Sequence, residues 1–135
     1  AHTDGDTLVR FSVADVIMPG DYFRSLGYPN IDRANGGTLE GMIDGLGTTI
    51  DFAGPNTKVV PGHGAVTDRA GLIAHRDMIM AIRDKVAVLV KQNKTEADVL
   101  AAKPTADNDT KVAGATAMTA DRFVGQLYAE LKAGR

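Results

Sequence analysis

Leu72, Ile79, Ile82, Val86 and Leu89 fall on one face of a 3.6-residue repeat. A helix is predicted over residues 68–92, with Thr67 as its N-cap. Asp68 then lies in the first turn, where the helix dipole favours a carboxylate. The same repeat places Leu39, Met42, Ile43 and Leu46 on another helix behind the cap Thr38, with Gly47 as its expected end. A short helix is predicted after Thr95, with Glu96 and Asp98 near its start, and Lys103-Pro104 closes it. A last helix, capped by Thr119, turns Phe123, Leu127 and Leu131 inward, with Val124 and Tyr128 flanking, and stops at Gly134. Residues 104–118 are rich in Thr, Asp, Asn, Ala and Gly and read as a loop.

Shorter apolar runs mark strands at residues 7–11, 16–18 and 58–60. The first two are expected to pair across a turn at residues 12–15, and Pro19-Gly20-Asp21 is expected to close the second. Residues 22–37 read as a long irregular stretch, the kind of segment that carries function in a compact domain. Gly54-Pro55-Asn56 is a turn leading into Lys58-Val59-Val60. Pro61 cannot donate to a sheet ladder and belongs at that strand's end. Gly62 and Gly64 flank His63 and leave room beside its ring. Three strands, with one helix among them and three after, indicate an α/β layer architecture.

Composition narrows the chemistry. With 44% apolar and 24% charged residues, the 135-residue chain reads as one ordinary soluble globular domain. A net charge of −2 without a basic run gives no footprint for nucleic acid or an anionic membrane. No apolar stretch approaches the roughly 20 residues that span a bilayer. Cysteine is absent, which excludes disulfides and thiolate metal sites. Any metal must sit on His, Asp, Glu or water. Compartment stays unassigned.

His2, Asp21 and His63 each sit at the mouth of a predicted strand. If the strands share a sheet, the three side chains can converge on one rim. Neutral imidazoles and a carboxylate suit zinc, or iron or manganese. A carboxylate can also bridge two ions that activate one water.

Ala-His-Thr-Asp-Gly-Asp-Thr, then Met-Pro-Gly-Asp-Tyr-Phe, then Val-Val-Pro-Gly-His-Gly resemble the third, fourth and fifth metal motifs of the metallo-β-lactamase-fold hydrolases. Their order and approximate spacing match, and the resemblance runs over nearly the whole chain. It implies that His2 is the third His of a first metal site. Asp21 would bridge two ions, and His63 would bind the second. It implies two zinc ions in the parent protein and hydrolysis by a metal-activated water. Asp rather than Cys in the fourth motif makes the chain look like the hydrolases of esters, thioesters, lactones or phosphodiesters, with a small-molecule substrate. The family's His-x-His-x-Asp-His pattern is absent. Residues 1–135 are therefore expected to be the C-terminal part of such a domain, half of an αββα sandwich: one sheet with its covering helices. Half the ligands being absent, the chain alone is expected to bind metal weakly and to lack hydrolase activity. Its expected partner is an N-terminal half upstream of Ala1, or a second copy in a dimer or swapped assembly that covers the bare sheet face.

A reading of another class stands beside this one: a non-catalytic half-fold acting as an assembly or interaction module. Asp4 and Asp6 are candidates to orient His2, with turn formation as the simpler role. Tyr22, Phe23 and Tyr28 follow Asp21 and are candidates to line a pocket, with ordinary packing as the alternative. His75, close to the apolar stripe of residues 68–92, reads as a packed, locally hydrogen-bonded His. Gly36-Gly37-Thr38 lacks the lysine and spacing of a phosphate loop and reads as loop geometry. Lys85, Lys91 and Lys94 read as a solvated face.

Overall fold

The computed structural model describes residues 1–134 and is a mixed α/β fold. Strands β1 (Val9–Phe11), β2 (Val16–Arg24) and β3 (Lys58–His63) form one sheet in that order. The first pair is antiparallel and the second parallel. Helix α1 (Leu39–Phe52) makes the crossover between the parallel strands, after a 3-10 turn at Arg33–Asn35. Helices α2 (Arg69–Lys91), α3 (Glu96–Ala101) and α4 (Ala117–Ala133) follow. None is long and apolar enough to cross a membrane.

The sheet has two unlike faces, as strand alternation requires. Ile17 pairs with Val59, and both are fully buried against the helices. There they join Phe23, Met42, Leu46, Leu72, Phe123 and Leu127 in one core. On the opposite face Val9 pairs with Met18 and Phe11 with Val16. Val9, Phe11 and Met18 remain 42%, 49% and 41% exposed, so no element among the described residues covers this apolar face.

Several boundaries differ from the sequence expectation. β2 runs on through Pro19-Gly20-Asp21 to Arg24, so Asp21 lies within a strand rather than after it. Pairing with β1 stops at Met18, and the register to β3 shifts between Ile17 and Gly20. Pro19 therefore stands where the ladder asks for no donor. β3 likewise extends past Pro61, which pairs with Gly20 between two such shifts. α1 passes Gly47 and ends at Phe52, because Thr49 and Ile50 are buried beyond the glycine. Packing there outweighs helix propensity. Asp68, not Thr67, caps α2 by accepting from the Gly71 N–H at 3.0 Å. Thr67 instead exchanges two backbone hydrogen bonds with Val59. Thr116 caps α4, with Thr119 as the third residue of a reciprocal capping box. Val90 rather than Leu89 completes the buried stripe of α2. Lys85, Lys91 and Lys94 are all exposed, and Lys85 reaches Asp107 at 2.6 Å on that surface. The loop between α3 and α4 is tied to the core: the Tyr28 hydroxyl donates to Asp109 Oδ1 at 2.6 Å and to the Thr105 carbonyl at 3.3 Å.

His75 packs as expected, edge-on to Phe23 with centroids 5.1 Å apart. Its Nε2 has no hydrogen-bond partner among the described residues, so no local bond forms through that nitrogen. Burial, helped by the nearby Arg24 charge, pushes its pKa down from 6.5 to about 4. The unfolded chain thus takes up this proton near pH 6.5 while the folded chain resists until about pH 4. Stability is full above pH 6.5 and falls as the pH drops through that window. Between pH 7 and 5 the loss is about 2 kcal/mol at this site. Urea unfolding at both pH values is expected to show that slope in the native chain. In His75→Leu the slope should flatten, and an unchanged slope contradicts the assignment.

Candidate metal centre

Three pieces of backbone converge at the far end of the β2–β3 pair. β2 carries Asp21, and β3 ends on His63, whose carbonyl accepts from the Ser25 N–H at 2.9 Å. The amino-terminal segment brings His2 alongside. Its carbonyl accepts from the Asp32 N–H at 2.9 Å, and the Ala1 carbonyl accepts from Thr38 at 3.0 Å. Gly37 makes this docking possible, because a Cβ there would overlap the His2 carbonyl.

Both imidazoles face one carboxylate. His2 Nε2 lies 3.8 Å from Asp21 Oδ2, and His63 Nε2 lies 3.3 Å from Asp21 Oδ1. The His2 side chain is 16% exposed, Asp21 44% and His63 53%. His2 Nδ1 stands 2.7 Å from the Asn30 carbonyl, which can only accept. That bond places a ring proton on Nδ1 and turns Nε2 toward Asp21. Gly62 sets the carboxylate's position from below: a Cβ there would overlap Asp21 Oδ1 and crowd the Gly20 backbone.

The small pocket, about 190 Å³, is lined by His2, Asp21, Arg24, Asn30, His63 and Arg122. Its donor set suits a divalent ion of the zinc class. Two ligands of one tetrahedral zinc stand about 3.3 Å apart, which the His63–Asp21 separation of 3.3 Å matches, while His2–Asp21 is longer at 3.8 Å. Yet no group of three or more His, Cys, Asp or Glu side chains is arranged to hold an ion by itself among the described residues. The geometry gives each oxygen of the Asp21 carboxylate one imidazole neighbour.

Other expected site residues fall elsewhere. Asp6 accepts from the Thr3 N–H and hydroxyl, both at 3.0 Å, which is turn formation. Asp4 is exposed, its side chain closing against Gly36. The partner that orients His2 is the Asn30 carbonyl instead. Tyr22 is buried with its hydroxyl 2.7 Å from Thr49 Oγ1, and burial raises its pKa. Tyr28 stacks on Phe123, and burial raises its pKa strongly. Neither tyrosine lines this pocket. Phe23 lines a different cavity, of about 290 Å³, beside Arg24 and His75. Arg24, Asn30 and Arg122 escaped the sequence reading. No spacing rule marks Arg24, since strand alternation would set it on the opposite face from Asp21, and only the fold brings Arg122 from α4.

No protein-family model matches the chain, and no curated protein matches it.

Gly62→Ala must move either the Asp21 carboxylate or β2 itself. It is expected to lower stability by about 1–3 kcal/mol. Gly47→Ala, with open space around the added methyl, should instead stabilise by about 0.5–1 kcal/mol. Urea melts of both variants test the pair of outcomes.

Proposed function

We propose that this chain supplies His2, Asp21 and His63 to the divalent-metal centre of a hydrolase acting on an ester, thioester, lactone or similar bond. The observation that carries this reading is the placement of two imidazole Nε2 atoms on opposite oxygens of one carboxylate. Asp21 has an oxygen for each neighbour and can serve two ions at once. His2, largely buried and fixed through Asn30, is the rigid donor. His63 is the most exposed of the three and lies on the side open to substrate. A divalent ion bound there, zinc or on the same donors iron or manganese, supplies Lewis acidity for the hydrolysis. The ligand set is completed by a second polypeptide layer, from the same protein or another copy, laid on the bare Val9–Phe11–Met18 face. This is the half-sandwich reading of the fold.

The second reading is a non-catalytic assembly module. The open apolar face favours it, as does the lack of a self-sufficient three-ligand group among the described residues.

Zinc titration calorimetry on the 135-residue chain separates the two. The metal reading expects weak binding, micromolar or poorer, that is lost in Asp21→Asn and His63→Ala with unchanged thermal melts. It expects no ester hydrolysis by the chain alone. Zinc binding indifferent to both substitutions contradicts the metal site, and two tightly held ions per chain contradict the half-site.

A further inference from the structure

The metal pocket contains more positive charge than its one carboxylate answers. Arg24 and Arg122 line it together with His2, Asp21, Asn30 and His63. Arg24 Nη1 and Arg122 Nη2 each donate to the Tyr28 carbonyl at 3.4 Å, and Arg122 Nη2 also reaches the Pro29 carbonyl at 3.5 Å. These are long bonds to neutral acceptors. Among the described residues neither guanidinium has an Asp or Glu oxygen within 4.0 Å. Asp21, the carboxylate that shares the pocket, is turned to the two imidazoles instead. Two like charges held on one carbonyl repel, and the Arg24 charge joins burial in lowering the Arg122 pKa. Arg24 Nε is buried with no hydrogen-bond partner among the described residues. Asn30 adds a neutral donor: its Oδ1 accepts from Gln126 Nε2 at 2.9 Å, so the amide hydrogens are what it has left to offer.

Paired guanidinium forks match the oxygens of a carboxylate or a phosphoryl group, and a bound anion offsets their mutual repulsion. We propose that Arg24, Arg122 and Asn30 form an anion-recognition subsite beside the His2–Asp21–His63 cluster, taking a carboxylate or phosphoryl group of the substrate. Resting on the hydrolase reading above, this names the substrate class: a small acidic ester, thioester or lactone whose anionic group lies close to the bond that breaks. The anion site itself needs no metal.

The test uses the 135-residue chain in EDTA, titrated separately with inorganic phosphate and with malonate and followed by NMR. Saturable shifts of the Arg24 and Arg122 side-chain Nε–H signals are expected in the native chain. This readout does not depend on any variant folding. Arg24→Gln and Arg122→Gln should each weaken binding by about tenfold or more. Arg24→Lys and Arg122→Lys, which keep the charge but lose the fork, should recover part of it. Lys132→Gln, a charge change on the outer part of α4, should leave affinity unaltered. The stronger of the two anions assigns the group as phosphoryl or carboxylate. The proposal is overturned by unmoved arginine signals, by equal affinity in both glutamine variants, or by an equal loss in Lys132→Gln. Zinc titration on the same samples separates the readings. Phosphate shifts without zinc binding keep the anion site and remove the hydrolase, and zinc binding without arginine shifts does the reverse.

Discussion

Everything at the candidate site depends on how closely β2 approaches β3 around residues 20 and 62. The strands pair in parallel from Ile17 and Val59, then shift register near Gly20 and Pro61. The shift sets Asp21 directly over Gly62, where any side chain would displace its carboxylate. The same pairing ends with Arg24 opposite His63, which delivers the imidazole to the Asp21 Oδ1 side. Fully buried Ile17 and Val59 anchor the approach in the hydrophobic core, so the geometry is inherited from packing rather than from the polar groups.

A second constraint fixes the other imidazole. Asn30 joins three parts of the molecule: its carbonyl orients His2, its side chain takes the Gln126 amide, and Gln126 in turn accepts from the Ile31 N–H at 3.0 Å. α4 therefore braces the site from behind, and Arg122 on the same helix reaches the pocket rim. Glu130, one helical turn beyond Gln126, accepts from the Leu39 N–H at 2.7 Å. A carboxylate at the start of α1 sits where the helix dipole favours it. The last helix thus ties the crossover helix and the His2 dock together, although it contributes no proposed metal ligand.

The helices were legible because their apolar stripes repeat with the helical period, and their starts carry Thr or Asp that can accept from the backbone. The cap shifted by one residue at Asp68 and by three at Thr116, since several adjacent residues could each cap. The α/β class and the convergence of His2, Asp21 and His63 were legible from residue types at strand ends. The strand ends themselves were not. Pro19 and Pro61 look like stops until the register shift shows that no ladder donor is needed there. The role of Asn30 could not be read, because a backbone carbonyl has no sequence signature. His75 lacks a partner for Nε2 because its ring is wedged edge-on to Phe23, a contact set by tertiary packing alone.

The central claim is that one carboxylate between two imidazoles is a metal-binding corner. Crystals of the chain grown with zinc, measured on both sides of the zinc absorption edge, test it most directly. The account predicts an anomalous peak within bonding distance of Asp21 and of His2 Nε2 or His63 Nε2, about 2.0–2.2 Å. A zinc peak at full occupancy on other residues, or none beside Asp21 in a zinc-saturated crystal, contradicts it.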